Sequence, residues 1–537
     1  MSYAFRATPN LTKASEPIPG REAEMSLSKS GAVTFVATDW MFLKRGLITG
    51  TSNGTFYADR NSLTYDWESS LKACLDQDPS RVAKEVLYAS EGRAISNSTC
   101  LYALVIISIH PKGKEIFKEI FNKVVRTGSH LHEFMSYAKP TRGMGSVIHR
   151  ALNGWLNGRS VDQLAYQMLK YPQRYGFSFA DELRLLKPVV SGDRSDLYGY
   201  VVGKKTMPTV EDTGVSKTSD LDIVYWYEWL KANPTKAVEA IRGGRLTHEM
   251  VAPVASMSQD VWQELFESMP VTATLRNLAN LTTQGVLCPK NRKNLARLEG
   301  IFLDKAVLKK ALVHPLDLLK AWKTYASGGL YGRSSKTYVP VQRIVDILEE
   351  SLTLSFETIE RTDKVFLHGL DISGSMGSNI SSSGGTLPIR YCEVAALMAL
   401  VTARAEPNYY IKGFSSNVID LKISARSSFG DATREVVKNN FGGTDAGKVY
   451  QWAITEKVFV DTFVFWTDGE NWAGYHPSQL LKKYRGAVNP EAKAIYVTLT
   501  PGPVTLVDPK DPQSFDLAGF DPSIPKMVQM ISSGELS

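Results

Sequence analysis

The chain reads as a multidomain protein of two architectures in series: an α-solenoid of stacked helix pairs over residues 1–361 and an α/β, doubly wound domain over residues 362–537. Upstream, apolar residues recur at three- and four-residue spacing, as Ile116, Ile120, Val124 and Val125 do, and β-rich runs are nearly absent. Downstream, short apolar runs alternate with helical patterns, the order of a mainly parallel sheet flanked by helices. A length of 537 residues also exceeds what one ordinary core holds.

In chain order, the periodicity predicts helices over 81–90, 97–109, 114–126, 146–157, 161–171, 221–232, 259–268, 303–312, 316–325 and 341–351. No clean repeat period accompanies them. The stretch 192–219, with its Gly, Pro, Asp and Thr content, reads as an inserted loop or irregular connection. Beyond the boundary, strands are expected over 365–370, 409–414, 458–466 and 494–499, with helices over 390–404, 447–455 and 478–484.

The apolar run Val365 to Leu370 empties into Asp371-Ile372-Ser373-Gly374-Ser375, one carboxylate and two hydroxyls on a tight loop. Ligands of open α/β sheets sit at such strand ends. Thr444 and Asp468 follow in comparable settings, so the donor set Asp371, Ser373, Ser375, Thr444 and Asp468 is all oxygen. Few carboxylates with neutral hydroxyls suit Mg²⁺, or Mn²⁺, better than Zn²⁺, which favours His and Cys. Alone, the first loop would be read as a turn with serine caps; the two later donors, in the right order, favour a metal. The pattern is similar to the metal-ion-dependent adhesion site of von Willebrand factor A domains. That resemblance implies a bound cation whose shell is completed by water or by a partner's carboxylate.

No segment approaches the ~20 apolar residues of a membrane helix, and the run 101–109 is expected to be a buried helix core. Met1-Ser2-Tyr3-Ala4-Phe5-Arg6 lacks a charged-then-apolar signal region. Cys74, Cys100, Cys288 and Cys392 form no C-x-x-C pair and are expected to be buried free thiols in a reducing compartment. A cytoplasmic location is expected, or a nuclear one in a eukaryote. Residues 1–360 carry 45 Lys and Arg against 37 Asp and Glu, whereas from Arg361 onward the counts are 17 and 18. The positive excess on the helical part is compatible with a polyanion such as nucleic acid.

Both parts together resemble the Ro autoantigen, or TROVE, family. The matching stretches are Met41-Phe42-Leu43 with Gly50 to Tyr57; Gly143-Met144-Gly145 with Arg150-Ala151-Leu152 and Trp155; Lys170-Tyr171-Pro172-Gln173-Arg174; Met269 to Ala273 with Leu275-Arg276-Asn277-Leu278; His314-Pro315; and the Asp371 loop. The chain has Gly176-Phe177-Ser178-Phe179 where animal members tend to have Gly-Trp-Ser-His, and the helix ahead of Lys187-Pro188 lacks a family histidine. These departures suggest a bacterial or viral member. The resemblance implies HEAT-like helices closed into a monomeric ring, joined to a von Willebrand A domain. It also implies binding of Y RNAs on the outer surface and of the 3′ ends of misfolded non-coding RNA in a central hole, with an exoribonuclease or another protein docking at the A domain.

Lys139, Arg142, Arg150, Lys170, Arg174, Arg184 and Lys187 cluster in sequence and suit phosphate neutralisation. His130, His132 and His149 would add hydrogen-bonding, stackable rings, and Tyr171, Tyr175 and Phe177 aromatic faces for unpaired bases. Local acids such as Asp162, Asp181 and Glu182 offer an alternative use for these cations. Gly442 to Lys448 nearly forms a phosphate loop, but Val449 stands where the Mg²⁺-binding hydroxyl belongs. No zinc-protease spacing is present. The expectation is a non-catalytic RNA-binding scaffold. The alternative is a protein–protein adhesion or adaptor module using the metal site and the helices without RNA. A hydrolase built on Asp371 and Asp468 ranks last, because the loop offers no general base besides the ligands.

Overall fold

The computed structural model describes residues 11–28, 30–51, 60–213, 219–329, 337–356, 361–382, 385–439 and 442–535. The expected motif segment 52–57 and the N-terminal segment 1–6 lie outside the described residues. Several helices of the first part begin where the sequence supplies a capping oxygen. Thr38, Asp78, Thr127, Ser258 and Asp304 each accept a backbone N–H from the first turn of the helix that follows. Each helix then buries one stripe. Lys114–Val124 buries Ile116, Phe117, Ile120, Phe121 and Val124, while Ser98–Ile109 buries every residue but Tyr102 and Ile109 between its neighbours Arg60–Gln77, Lys114–Val124 and Gly128–Arg142.

The helical array closes on itself. The His314 imidazole Nε2 lies 3.2 Å from the Arg93 carbonyl, and Gly92 packs against Leu312. The C-terminal domain sits at this seam. Arg45, 1% exposed, forms a buried ion pair with Asp516 and donates to the Gly502 and Val504 carbonyls at 2.9 and 2.5 Å. The Tyr88 hydroxyl meets Asp521 at 2.7 Å, and Lys323 meets both Glu393 oxygens at 2.7 Å.

In the C-terminal domain six strands lie in the order Ser514–Ala518, Lys493–Thr498, Thr462–Thr467, Val365–Asp371, Asn408–Phe414, Val418–Asp420. All pairs are parallel except the last. The helix Tyr391–Ala405 is buried almost throughout against the sheet. In the Val365–Asp371 strand only Val365 is incompletely buried, so its residues form a continuous buried run rather than an alternation.

Three expectations are corrected. The stretch 192–219 contains a helix, Gly192–Val201, pinned by Leu197 and Tyr198 in the core and by Arg194 donating to the Leu156 and Arg159 carbonyls at 2.9 and 2.7 Å; tertiary contacts override a weak local propensity. The expected helix 303–312 shrinks to Lys305–Lys310 because Asp304 caps it. The N-terminal segment, counted with the helices in sequence, instead forms strands Met25–Leu27 and Val33–Val36, and the latter pairs with Val504–Thr505 of the C-terminal domain. Cys74, Cys100 and Cys392 are buried free thiols, and Cys288 is half-buried.

Candidate metal centre and nucleic-acid interface

All five predicted oxygen donors come to one end of the sheet. Asp371 closes its strand and a 3₁₀ turn, Gly374–Gly377, carries Ser375. Thr444 precedes the helix Gly447–Thr455, and Asp468 follows the strand Thr462–Thr467. Their exposures are 0% for Asp371 and Thr444, 2% for Ser373, 4% for Ser375 and 8% for Asp468, so this is an interior cluster at a strand-end crevice.

Asp371 is held by both oxygens: Oδ1 accepts the Ser373 N–H at 2.9 Å and Oδ2 accepts the Thr467 hydroxyl at 2.7 Å. The Ser373 and Ser375 hydroxyls are 3.1 Å apart. Asp468 Oδ1 accepts the Glu470 N–H at 3.2 Å, and the Asp468 carbonyl accepts the Thr500 hydroxyl at 2.6 Å. Among the described residues, Asp468 Oδ2 and Thr444 Oγ1 are buried with no hydrogen-bond partner. Buried polar atoms normally have one. Burial pushes both carboxyls above the usual range, and at Asp468 the Asp371 charge adds to burial. Orphaned hard oxygens beside two mutually repelling carboxylates fit a divalent cation. Sequence reasoning missed Thr467, whose only signal is its place next to Asp468, and Asp445, a buried carboxylate also raised by burial.

The basic cluster divides. Gln173–Arg174 and Phe177–Ser178 form a two-stranded hairpin turning through Tyr175 and Gly176, with φ of 52° and 78°. That mirror-image turn suits hairpins, although only the glycine adopts it without strain. The hairpin displays Arg174 and Tyr175, both exposed. Lys139 joins it, its ammonium 5.5 Å from the Phe177 ring centre. Lys170 is half-buried, donating to the Tyr166 hydroxyl at 2.9 Å and lying over the Tyr166 and Tyr171 rings.

The other cations are placed differently. Arg142 is half-buried and donates to the Ser108 carbonyl at 3.1 Å. Arg150 lines a cleft of about 160 Å³ with Lys118, Phe117 and Phe121, and His149 on the same helix is half-buried. Arg184 faces Asp181 at 3.7 Å, and Lys187 is exposed in a left-handed conformation that ends its helix. Two histidines are corrected. His132 is fully buried, bonded to Glu182 at 2.7 Å and to the Tyr171 carbonyl at 3.0 Å, so it fixes the hairpin rather than stacking on a base. His130 accepts the Arg126 N–H at 3.4 Å, and burial pushes its imidazole down to about 4, which keeps it neutral.

Residues 365–532 match the family model described as the Ro60 vWA domain, and residues 245–368 match the TROVE domain model. A protein named RNA-binding protein RO60 from Deinococcus radiodurans is 30% identical over 98% of this chain and 100% of its own length. One of the same name from Caenorhabditis elegans is 28% identical over 95% of this chain and 90% of its own. The crystal structure of the Deinococcus radiodurans Ro (RSR) protein superposes with a TM-score of 0.67 at 30% identity, covering 93% of this chain and 100% of that one. Agreement over both the helical array and the α/β domain means that the chain belongs to the Ro60 family.

Proposed function

We propose that this protein is a non-catalytic RNA-binding scaffold. It binds Y RNAs on the outer surface of its helical ring and takes single-stranded 3′ ends of misfolded non-coding RNA into the central hole, in RNA quality control and ribonucleoprotein assembly. The observation that carries the reading is the hairpin, where Arg174 and Tyr175 are exposed and Lys139 lies over the Phe177 ring. Cations there neutralise phosphates and exposed rings stack on unpaired bases. The relatives named RNA-binding proteins support it.

At the other site, Asp371, Ser373, Ser375, Thr444 and Asp468 would hold Mg²⁺, or Mn²⁺. The cation would present a hard Lewis-acid position to a carboxylate of a docking protein, such as an exoribonuclease. Among the described residues, no helix is long and apolar enough to cross a membrane. Crosslinking in cells followed by sequencing of the attached RNA tests the proposal: small structured RNAs are expected. Recovery of proteins alone, insensitive to RNase, would instead favour an adaptor that works through the metal site and helices.

A further inference from the structure

The loop that follows Asp468 is gripped at two points by the N-terminal arm, a segment more than 400 residues away in sequence. The first grip is one hydroxyl. Ser30 Oγ donates to Glu470 Oε2 at 2.6 Å, and Glu470, 8% exposed, donates its own N–H to Asp468 Oδ1. The second is backbone. Ala14 N–H donates to the Gly474 carbonyl at 2.9 Å, His476 N–H donates to the Thr12 carbonyl at 3.2 Å, and the His476 Nε2 lies 2.8 Å from the Glu16 carbonyl. Between the grips the loop reaches the other orphaned donor: Ala473 N–H bonds the Thr444 carbonyl at 3.1 Å, and Asn471 Oδ1 accepts the Ala446 N–H at 2.7 Å.

We propose that the N-terminal arm, residues 12–36, positions Asp468 and Thr444 for the cation, with Ser30 as a positioning residue acting through Glu470. The inference rests on the metal reading above. Affinity for a cation depends on how well its ligands are pre-oriented, and outer partners that hold a ligand commonly change metal affinity 10- to 100-fold when removed. The arm is anchored elsewhere as well, by Val33–Val36 on Val504–Thr505 and by Arg21 on Asp508 at 2.7 Å. Loss of one hydroxyl therefore frees Glu470 while the backbone grip and the arm stay in place.

The test uses the full chain and Mn²⁺ alone, followed by calorimetry and by electron paramagnetic resonance. Ser30→Ala should weaken Mn²⁺ binding about tenfold, with the metal-free melting temperature and RNA affinity unchanged, and Ser30→Thr should restore it. Wild-type Mn²⁺ affinity in Ser30→Ala would overturn the positioning role. An equal loss in Arg21→Ala, which loosens the arm away from the loop, would overturn the specific role of Ser30 and assign the effect to the arm as a whole. If the unaltered protein binds no Mn²⁺ at all, the metal reading itself fails, an outcome distinct from both.

Discussion

Thr444 carries a hydroxyl that is fully buried and unpartnered among the described residues, an arrangement that costs about 1–3 kcal/mol unless something else completes it. Thr444→Val keeps the shape and removes the orphan. The metal-free variant should melt at or above the wild-type temperature, yet lose the rise that Mg²⁺ gives the parent; a variant destabilised without metal would make Thr444 a packing residue. Asp371→Ala should abolish divalent binding in calorimetry, because the hydroxyls left behind are weak neutral ligands. The carboxyl pair also fixes the sign of a pH effect. Burial raises Asp371 and Asp468, so the folded chain keeps protons that the unfolded chain has released. Metal-free stability from this pair therefore falls as pH climbs from the ordinary carboxylate range through neutrality. A cation removes that penalty, so the gain in melting temperature from Mg²⁺ should be larger at pH 8 than at pH 5. The convergence of the five oxygens was legible in the sequence because each lies in a short local pattern, at a strand end or, for Thr444, ahead of a helix. Thr467 was not, since its bond to Asp371 arises only when two separate strands meet.

The hairpin Gln173–Ser178 is an element in which exposure separates two cations that looked equivalent in sequence. Arg174 is exposed, whereas the Lys170 ammonium is occupied by the Tyr166 hydroxyl and two rings. Arg174→Ala should lower the log–log salt slope of RNA binding by roughly 0.7–0.9, the loss of one phosphate contact, and Lys170→Ala by less. Filter binding across a salt series decides this, and an unchanged slope in both variants would place the RNA surface elsewhere. Periodicity found Ser146–Asn157 and Gln259–Ser268 with their observed bounds and several others within a few residues, but not the amphipathic Ala237–Gly244, Phe429–Lys438 or Ile524–Ser533. It missed Gly128–Arg142, whose interior Pro140 and mixed surface blur the pattern, and Gly192–Val201, which tertiary contacts hold. The N-terminal strands were illegible for a related reason: their pairing partner, Val504–Thr505, lies at the far end of the sequence.

At the scale of the molecule, closure is what joins the two sites. His314 meets the Arg93 carbonyl where the helical array ends meet, and Arg45, buried against Asp516, fastens the α/β domain to the same seam. Unlike a surface pair, a buried pair broken on one side costs about 3–5 kcal/mol. Arg45→Met should therefore lower thermal stability markedly, which a melting curve reports. A closed array also restricts what passes through it. A single strand is narrow and offers bare bases, whereas an A-form duplex is wide and hides them. We therefore expect structured RNA with a single-stranded 3′ tail to bind more tightly than the same hairpin with a blunt end. Phosphate contacts do not distinguish the two, because the duplex offers them as well. Stacking does: an unpaired base on an exposed ring such as Tyr175 adds about 1–3 kcal/mol, enough for roughly tenfold or more. Competition between matched tailed and blunt hairpins measures the difference directly. Equal affinity would remove the threaded strand and leave outer-surface binding as the RNA mode of this protein.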